Sequence, residues 1–399
     1  MVNHCEEPPL IYLDYHATTP VDARVLQAML PYFTEKFGNA ASKHHRLGWE
    51  AKDAVECARK QVAALVGAGS KDVIFTSGAT EANNLAIKGV AGMYREKGNH
   101  LITATTEHKA VLDPMARLAH EGWQVTVLPV SASGLIDLAA LERAVTERTA
   151  LVSVMAANNE IGVLQPIKDA AAIAHAKGAW FHTDAVQAAG KVAFDVEALD
   201  VDFASLTAHK IYGPKGAGAL YMRRSGRSGV GPRISPLRAA VVPQIDGGGH
   251  ERGLRSGTLN VPGIVGFGRA AEIARAEMTS EAKRVGGLRD RLLDGLKRVD
   301  GMTVNGSMSE RLPGNLNVSF AGIDGEALLV SLDDVAVSSG DACTQAEPSH
   351  VLLALGLAKD RALSSLRFGI GRSTTSEEID YAVTKVAAVV ERLRTLSPV

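Results

Sequence analysis

Cysteine is scarce in this chain: three thiols, Cys5, Cys57 and Cys343, among 399 residues. Their number and irregular spacing exclude a disulfide framework and a CxxC metal site, so each is judged as a separate thiol. A long hydrophobic run is missing too. No stretch approaches the roughly 18 apolar residues of a membrane span, and "MVNHCEEPPL" has neither the basic start nor the apolar core of a signal peptide. A cytoplasmic protein with no membrane partner is expected. Charge of one sign is also lacking, since the formal net charge is −1 and no block of like charges occurs. That argues against a nucleic-acid surface and for small substrates or protein partners.

The length exceeds one typical core and calls for two domains. From about residue 22 to 263, strand-like runs alternate with helical patterns: "DVIFTSG" then "TEANNLAIKGVAGMYREKG", "HLITATTE" then "AVLDPMARLAHEG", "ALVSVMAA" then "IKDAAAIAHAKG", and then "AWFHTDAV". Such alternation predicts a mostly parallel sheet with helices on both faces, and ligands bind beyond the carboxyl ends of its strands. Leu47, Ala51, Ala54, Ala58, Val62 and Leu65 recur at helical spacing and predict a helix over 44–66, with Cys57 a packed or surface thiol. After Gly263 the pattern changes to charged helices ("GRAAEIARAEM", "LRDRLLDGLKRV"), short strands ("NLNVSF", "LRFGIG") and a last helix from Ser376 to about Leu396. This predicts a smaller α+β domain. The Gly/Ser/Pro/Arg-rich stretch 223–240 reads as a mobile surface loop.

Chemistry-bearing residues gather at the predicted strand ends. Lys210 in "SLTAHKIYGPKG" follows an apolar run and opens a glycine-rich loop. Burial lowers a lysine's pKa and makes Schiff-base or general-base lysines, although the same context suits a structural lysine paired with a carboxylate. "FTSGATEANN" sets Ser77, Gly78, Ala79 and Thr80 between a strand and a helix starting near Glu81, which suits either a bound phosphate or an ordinary helix cap. His108 in "TEHKAV", Asn158 and Asn159 in "ANNEIG", and Asp184 and Gln187 in "FHTDAVQ" follow further strands. His182 and Asp184 alternate on one side of a strand, but no third ligand accompanies them, so no metal site is expected. Phosphate donors, a histidine for stacking, an acid and a lysine from one sheet fit pyridoxal 5'-phosphate, with Lys210 on its aldehyde and Asp184 at its ring nitrogen. No GxGxxG fingerprint and no GxxxxGK[ST] loop competes.

Ten motifs in order, "YLDYHATTP", "FGNAASKHH", "FTSGATEANNLAIKG", "TEHKAVLD", "NNEIGV", "HTDAVQ", "HKIYGPKG", "GGGHERGLRSGTLN", "VSSGDACT" and "SLRFGIGR", resemble the cysteine desulfurases, a branch of the fold-type I, class V aminotransferase-like enzymes. The resemblance implies an α/β fold: a large domain, 19–263, with a mostly parallel seven-stranded sheet between helices, and a small α+β domain from 1–18 and 264–399. It implies a homodimer. Lys210 resembles the Schiff-base lysine, Asp184 the pyridinium partner, and His108 the ring-stacking residue that also moves protons. Ala79, Thr80, Thr207 and His209 resemble phosphate donors, with Thr258 supplied by the other subunit. Gln187 resembles the partner of the cofactor's oxygen, Asn159 a neighbour of the substrate, and Arg367, with Asn39, the clamp on its carboxylate.

Cys343 resembles the nucleophile. The implied reaction begins when the amine of L-cysteine displaces Lys210 from the cofactor. Lys210 then removes the α-proton, and the Cys343 thiolate attacks the sulfur. A persulfide stays on Cys343, L-alanine leaves, and the sulfur passes to an acceptor such as an iron–sulfur scaffold protein. The alternative within the same cofactor chemistry is a selenocysteine lyase or another class V lyase or aminotransferase. Asp341, two residues before Cys343, stands where the resembled enzymes usually carry serine, and its carboxylate is expected to raise the thiol pKa and slow persulfide formation. Thr207 and Ala208 replace the more usual serine and glycine. The stretch 223–240 reads as an insertion, and the end "RLRTLSPV" lacks the tail by which familiar members dock a scaffold.

Overall fold

The computed structural model describes residues 10–96, 98–223, 241–339 and 347–396. Its strands, in chain order, are β1 (Ile11–Tyr12), β2 (Val73–Thr76), β3 (His100–Ala104), β4 (Gln124–Leu128), β5 (Thr149–Ser153), β6 (Trp180–Asp184), β7 (Phe203–Thr207), β8 (Gly218–Met222), β9 (Met302–Val304), β10 (Asn315–Phe320), β11 (Val335–Ala336) and β12 (Ser365–Gly369). Seven of them form one sheet in the order β2-β8-β7-β6-β5-β3-β4. The pairs β3–β4, β3–β5, β5–β6 and β6–β7 are parallel, and only β8 runs antiparallel to its two neighbours. The predicted doubly covered, mostly parallel sheet is therefore present. Apart from the edge strand β4, its strands are buried along their whole length apart from Trp180, as expected where helices cover both faces.

Two strands escape the sequence pattern. β4 is a partly exposed edge strand without a continuous apolar run, and β8 returns directly from the glycine loop after Lys210 without an intervening helix. Because β8 reverses, β2 and β7 on either side of it point the same way, and all the parallel strands and β2 deliver their carboxyl ends to one edge.

Beyond the large sheet, β12-β10-β9 form an antiparallel sheet, and β1 pairs with β11. The two charged patterns after Gly263 are one 36-residue helix, Val261–Leu296, capped by the Asn260 side chain accepting from Gly263 N. Its first half packs Phe267, Ala270 and Ala271 into the core under the large sheet. Gly268 permits that approach, because a Cβ there would lie 2.6 Å from Ala58 Cα. Its second half packs Val285, Leu292 and Leu296 with Leu316, Phe368 and Ile379 in a separate core. The last helix is Ser376–Leu396. Among the described residues, no helix is long and apolar enough to cross a membrane.

Candidate active site

A cavity of about 540 Å³ opens where the strand ends converge. It is lined by Ala79, Thr80, His108, Asn159, Asp184 and Gln187, and by Thr207, His209, Lys210 and Arg367. Residues from Ala79 to Lys210 thus collapse onto one space, which is what a parallel sheet does with the ends of its strands, and Arg367 joins them from outside that sheet.

Each wall has a local cause. β2 runs into Gly78, and the helix Ala79–Tyr94 starts there, so first-turn N–H groups, which lack intrahelical partners, belong to residues lining the cavity. His108 caps the helix Lys109–His120, its Nδ1 accepting from Ala110 N at 3.0 Å. Asn158 is buried and holds the turn after β5, accepting from Glu160 N and Ile161 N, which leaves Asn159 at the cavity. Asp184 ends β6. Its Oδ1 accepts from Val186 N at 3.0 Å and its Oδ2 from Asn83 Nδ2 at 2.8 Å. Thr207 ends β7, its hydroxyl 3.3 Å from the Ala217 carbonyl.

Lys210 occupies the short helical turn after β7. Its Nζ donates to the carbonyls of His16 at 2.5 Å and Ala17 at 2.6 Å. Burial, and then the positive charge of Arg367, pushes this amine down from 10.5 to about 8. Burial and the lysines around it likewise push His209 down to about 4, so it is a neutral imidazole near pH 7, with Nδ1 3.1 Å from Thr18 Oγ1.

Arg367 arrives from the other sheet. It sits on β12, donates from Nη2 to Asp14 Oδ1 at 2.7 Å and from Nη1 to the Asn159 carbonyl at 3.3 Å, and is 3% exposed. The segment after β1 closes the remaining side: Asp14 holds Arg367, His16 and Ala17 hold Lys210, and Thr19 N donates to the His209 carbonyl.

Two of the predicted site residues are not brought to this cavity. Asn39 is exposed and turns its carbonyl oxygen back to Ala41 N. Thr258 is exposed as well, three residues beyond Arg255, whose guanidinium pairs with Glu81 in the first turn of Ala79–Tyr94. Cys343 and Asp341 lie outside the described residues, as do residues 224–240 of the predicted loop. His182 is fully buried between Ser153 Oγ and Ser205 Oγ, and among the described residues no group of three His, Cys, Asp or Glu side chains is placed to hold a metal ion.

His16, Asn83 and Asp14 join the site without any role assigned to them from the sequence. Asn83 was within reach of pattern arguments, because it lies three residues after Thr80 and so shares its helix face. His16 and Asp14 were not, since nothing local shows that β1 pairs with a strand more than three hundred residues away.

A model of the aminotransferase class-V family matches residues 11–382, and the chain belongs to that family. It is 59% identical to "Cysteine desulfurase IscS" of Anaeromyxobacter sp. (strain Fw109-5), over 97% of this chain and 94% of that protein. Among solved structures, a NifS-like protein superposes with a TM-score of 0.88 at 40% identity, covering 96% of this chain and all of the other. SspA in complex with cysteine superposes with a TM-score of 0.80 at 36% identity, covering 92% of this chain and 100% of that one. The branch of the family to which the chain belongs is that of the cysteine desulfurases.

Proposed function

We propose that this protein is a pyridoxal-phosphate-dependent cysteine desulfurase that takes sulfur from L-cysteine, releases L-alanine and hands the sulfur on through Cys343. The observation that carries this reading is the convergence of Lys210, Asp184 and Arg367 on one cavity from two sheets. The donor set fits the cofactor on its own terms. A helix start with Thr80, Thr207 and His209 beside it suits a phosphate. Asp184 is a buried acceptor fixed by two N–H donors, and Asn83 Oδ1 next to it has no hydrogen-bond partner among the described residues. Lys210 offers an amine of lowered pKa. When bound, the cofactor supplies an electron sink for the substrate's α-carbon.

The chain's own residues do the rest. His108 stacks and moves protons, and Gln187 meets the ring oxygen. Arg367 clamps the substrate carboxylate with its planar fork, beside Asn159. Lys210 takes up the α-proton; with its amine lowered from 10.5 to about 8, it keeps a larger neutral fraction near neutral pH than an ordinary lysine does. Cys343 attacks the sulfur, forming the S–S bond as the C–S bond breaks. A protein thiol on the sulfur acceptor completes the transfer.

A second copy of the chain fits the exposed apolar side chains Leu30, Phe33, Phe37 and Trp49, which are 53–65% exposed, and gives exposed Thr258 a phosphate to meet. The reading is tested by following alanine and sulfide from L-cysteine with a reductant and pyridoxal phosphate present. Wild type is expected to give equal amounts of both, and Lys210→Ala and Cys343→Ala neither. A Cys343→Ala protein as active as wild type on cysteine overturns the persulfide route, and activity on selenocysteine alone would make it a selenocysteine lyase.

A further inference from the structure

Behind Lys210 lies a second, smaller cavity of about 40 Å³, and Lys191 lines it together with Lys210, His16 and Glu281. Lys191 belongs to no motif that the sequence analysis singled out. Its Nζ donates to Gln187 Oε1 at 2.6 Å. Gln187 Oε1 is also 3.1 Å from His16 Nδ1, while Gln187 Nε2 donates to the His16 carbonyl at 3.0 Å. That same carbonyl accepts from Lys210 Nζ.

These contacts leave no freedom of assignment. A backbone carbonyl only accepts, so the amide nitrogen of Gln187 faces His16 O and its oxygen faces Lys191 and the imidazole. An amide oxygen cannot donate, so His16 Nδ1 carries the proton toward it. His16 Nε2 is then a bare acceptor, and it is buried without a hydrogen-bond partner among the described residues. One lysine, outside the site described above, thus joins the His16 carbonyl in holding the orientation of an amide and, through it, the tautomer of an imidazole, both of which line the main cavity.

We propose that Lys191 is a positioning residue: by donating to Gln187 Oε1 it locks the Gln187 amide with one Nε2–H on the His16 carbonyl and the other left to donate, and locks His16 as the Nδ1–H tautomer with Nε2 as acceptor. The proposal rests on the reading of Gln187 as a partner of the cofactor's oxygen, for which the amide must present N–H rather than oxygen.

The groups facing Lys191 explain why it can serve. Lys210 and Arg367 act on it as positive charges, and the acidic Glu281, which lines the same cavity, is engaged by Arg372 Nε at 2.8 Å. Burial, and then Lys210, pushes the Lys191 amine down to about 7. An amine donates whether charged or neutral, so the lock survives across that titration. His16 is held well below the usual imidazole range by burial and by Lys191, so it stays neutral.

The test compares the full-length, cofactor-loaded protein as wild type, Lys191→Met and Lys191→Arg, each checked for folding by thermal unfolding. Histidine-nitrogen NMR reads the His16 tautomer, and absorbance reads cofactor dissociation and the pH midpoint of the bound chromophore. Wild type is expected to show Nδ1–H alone. Lys191→Met, nearly isosteric but without a donor, is expected to show both tautomers, a shifted midpoint and roughly five- to tenfold weaker cofactor binding, the scale of one lost hydrogen bond. Lys191→Arg, which keeps a donor, is expected to restore the single tautomer.

An Nε2–H tautomer in wild type overturns the proposal. So does an unchanged tautomer in Lys191→Met, whether or not binding weakens, because the effect would then be one of bulk or charge. Failure of the desulfurase reading would show separately, as a wild type that makes no alanine.

Discussion

Lys210 shows how the acid–base behaviour of a side chain follows from what surrounds it. Its amine meets two backbone carbonyls and feels the charge of the Arg367 guanidinium, in a cavity wall that also holds Asp184. Burial and Arg367 favour the neutral amine, while Asp14 and Asp184 oppose them. Arg367→Gln removes the repelling cation and frees Asp14 from its ion pair, and both changes raise the Lys210 pKa above about 8. Competitive acylation of Lys210 across pH in the cofactor-free chain should show this rise, and an unchanged or lower midpoint would contradict it. The stability consequence has a definite sign. Between about pH 8 and 10.5 the unfolded chain keeps a proton that folded Lys210 has released, so the fold gains stability as pH rises through that window. At lower pH the buried charge is a cost, and in Arg367→Gln the window narrows from its lower end.

At the scale of elements, the proposed phosphate cradle depends on how closely three segments meet. Gly218 on β8 pairs with Thr207 on β7. A Cβ on Gly218 would lie 2.5 Å from Gly78 Cα and 2.8 Å from the Leu206 carbonyl, both backbone atoms that cannot swing aside. Gly218→Ala should therefore displace the turn that starts Ala79–Tyr94, destabilise the fold by about 1–3 kcal/mol as overpacking does, and weaken pyridoxal phosphate binding. Equilibrium dialysis and thermal unfolding measure both, and tight binding at wild-type stability would refute the steric account. The helix Val261–Leu296 presents the opposite case. Gly287 is exposed in its interior, and a Cβ there meets nothing within 4 Å. Gly287→Ala should stabilise the protein by about 0.5–1 kcal/mol through lost unfolded-chain entropy and better helix propensity, visible as a raised unfolding midpoint.

At the scale of the whole molecule, the exposed apolar side chains Phe33, Phe37 and Trp49 predict a species of twice the chain mass in sedimentation at micromolar concentration. A single-chain mass there would remove Thr258 from the phosphate site, since in its own chain Thr258 does not line the cavity.

Much of this architecture was legible beforehand because it is written in local periodicity. Alternating strands and helices along 22–263 specify a parallel sheet, and the strand ends specify where Lys210, Asp184, His108 and Gln187 go, because chain direction and sheet direction are linked. The ordered motifs add the family, and with it the roles proposed for those residues.

Other features depend on contacts between segments far apart in the chain, which no local pattern encodes. The pairing of β1 with β11 draws Asp14, His16 and Ala17 to the cavity and makes Asp14 the partner of Arg367. The single helix Val261–Leu296 serves two cores, where the sequence pattern read as two separate helices. Lys191 looked like an ordinary lysine after a glycine until folding set its amine against Gln187. The sequence by itself determined which residue types stand at which strand ends, through propensity and period. Tertiary structure alone decided the protonation tendencies of Lys210, His209 and His16 and the orientation of Gln187, because burial, charge proximity and hydrogen-bond direction exist only once the distant segments are packed together.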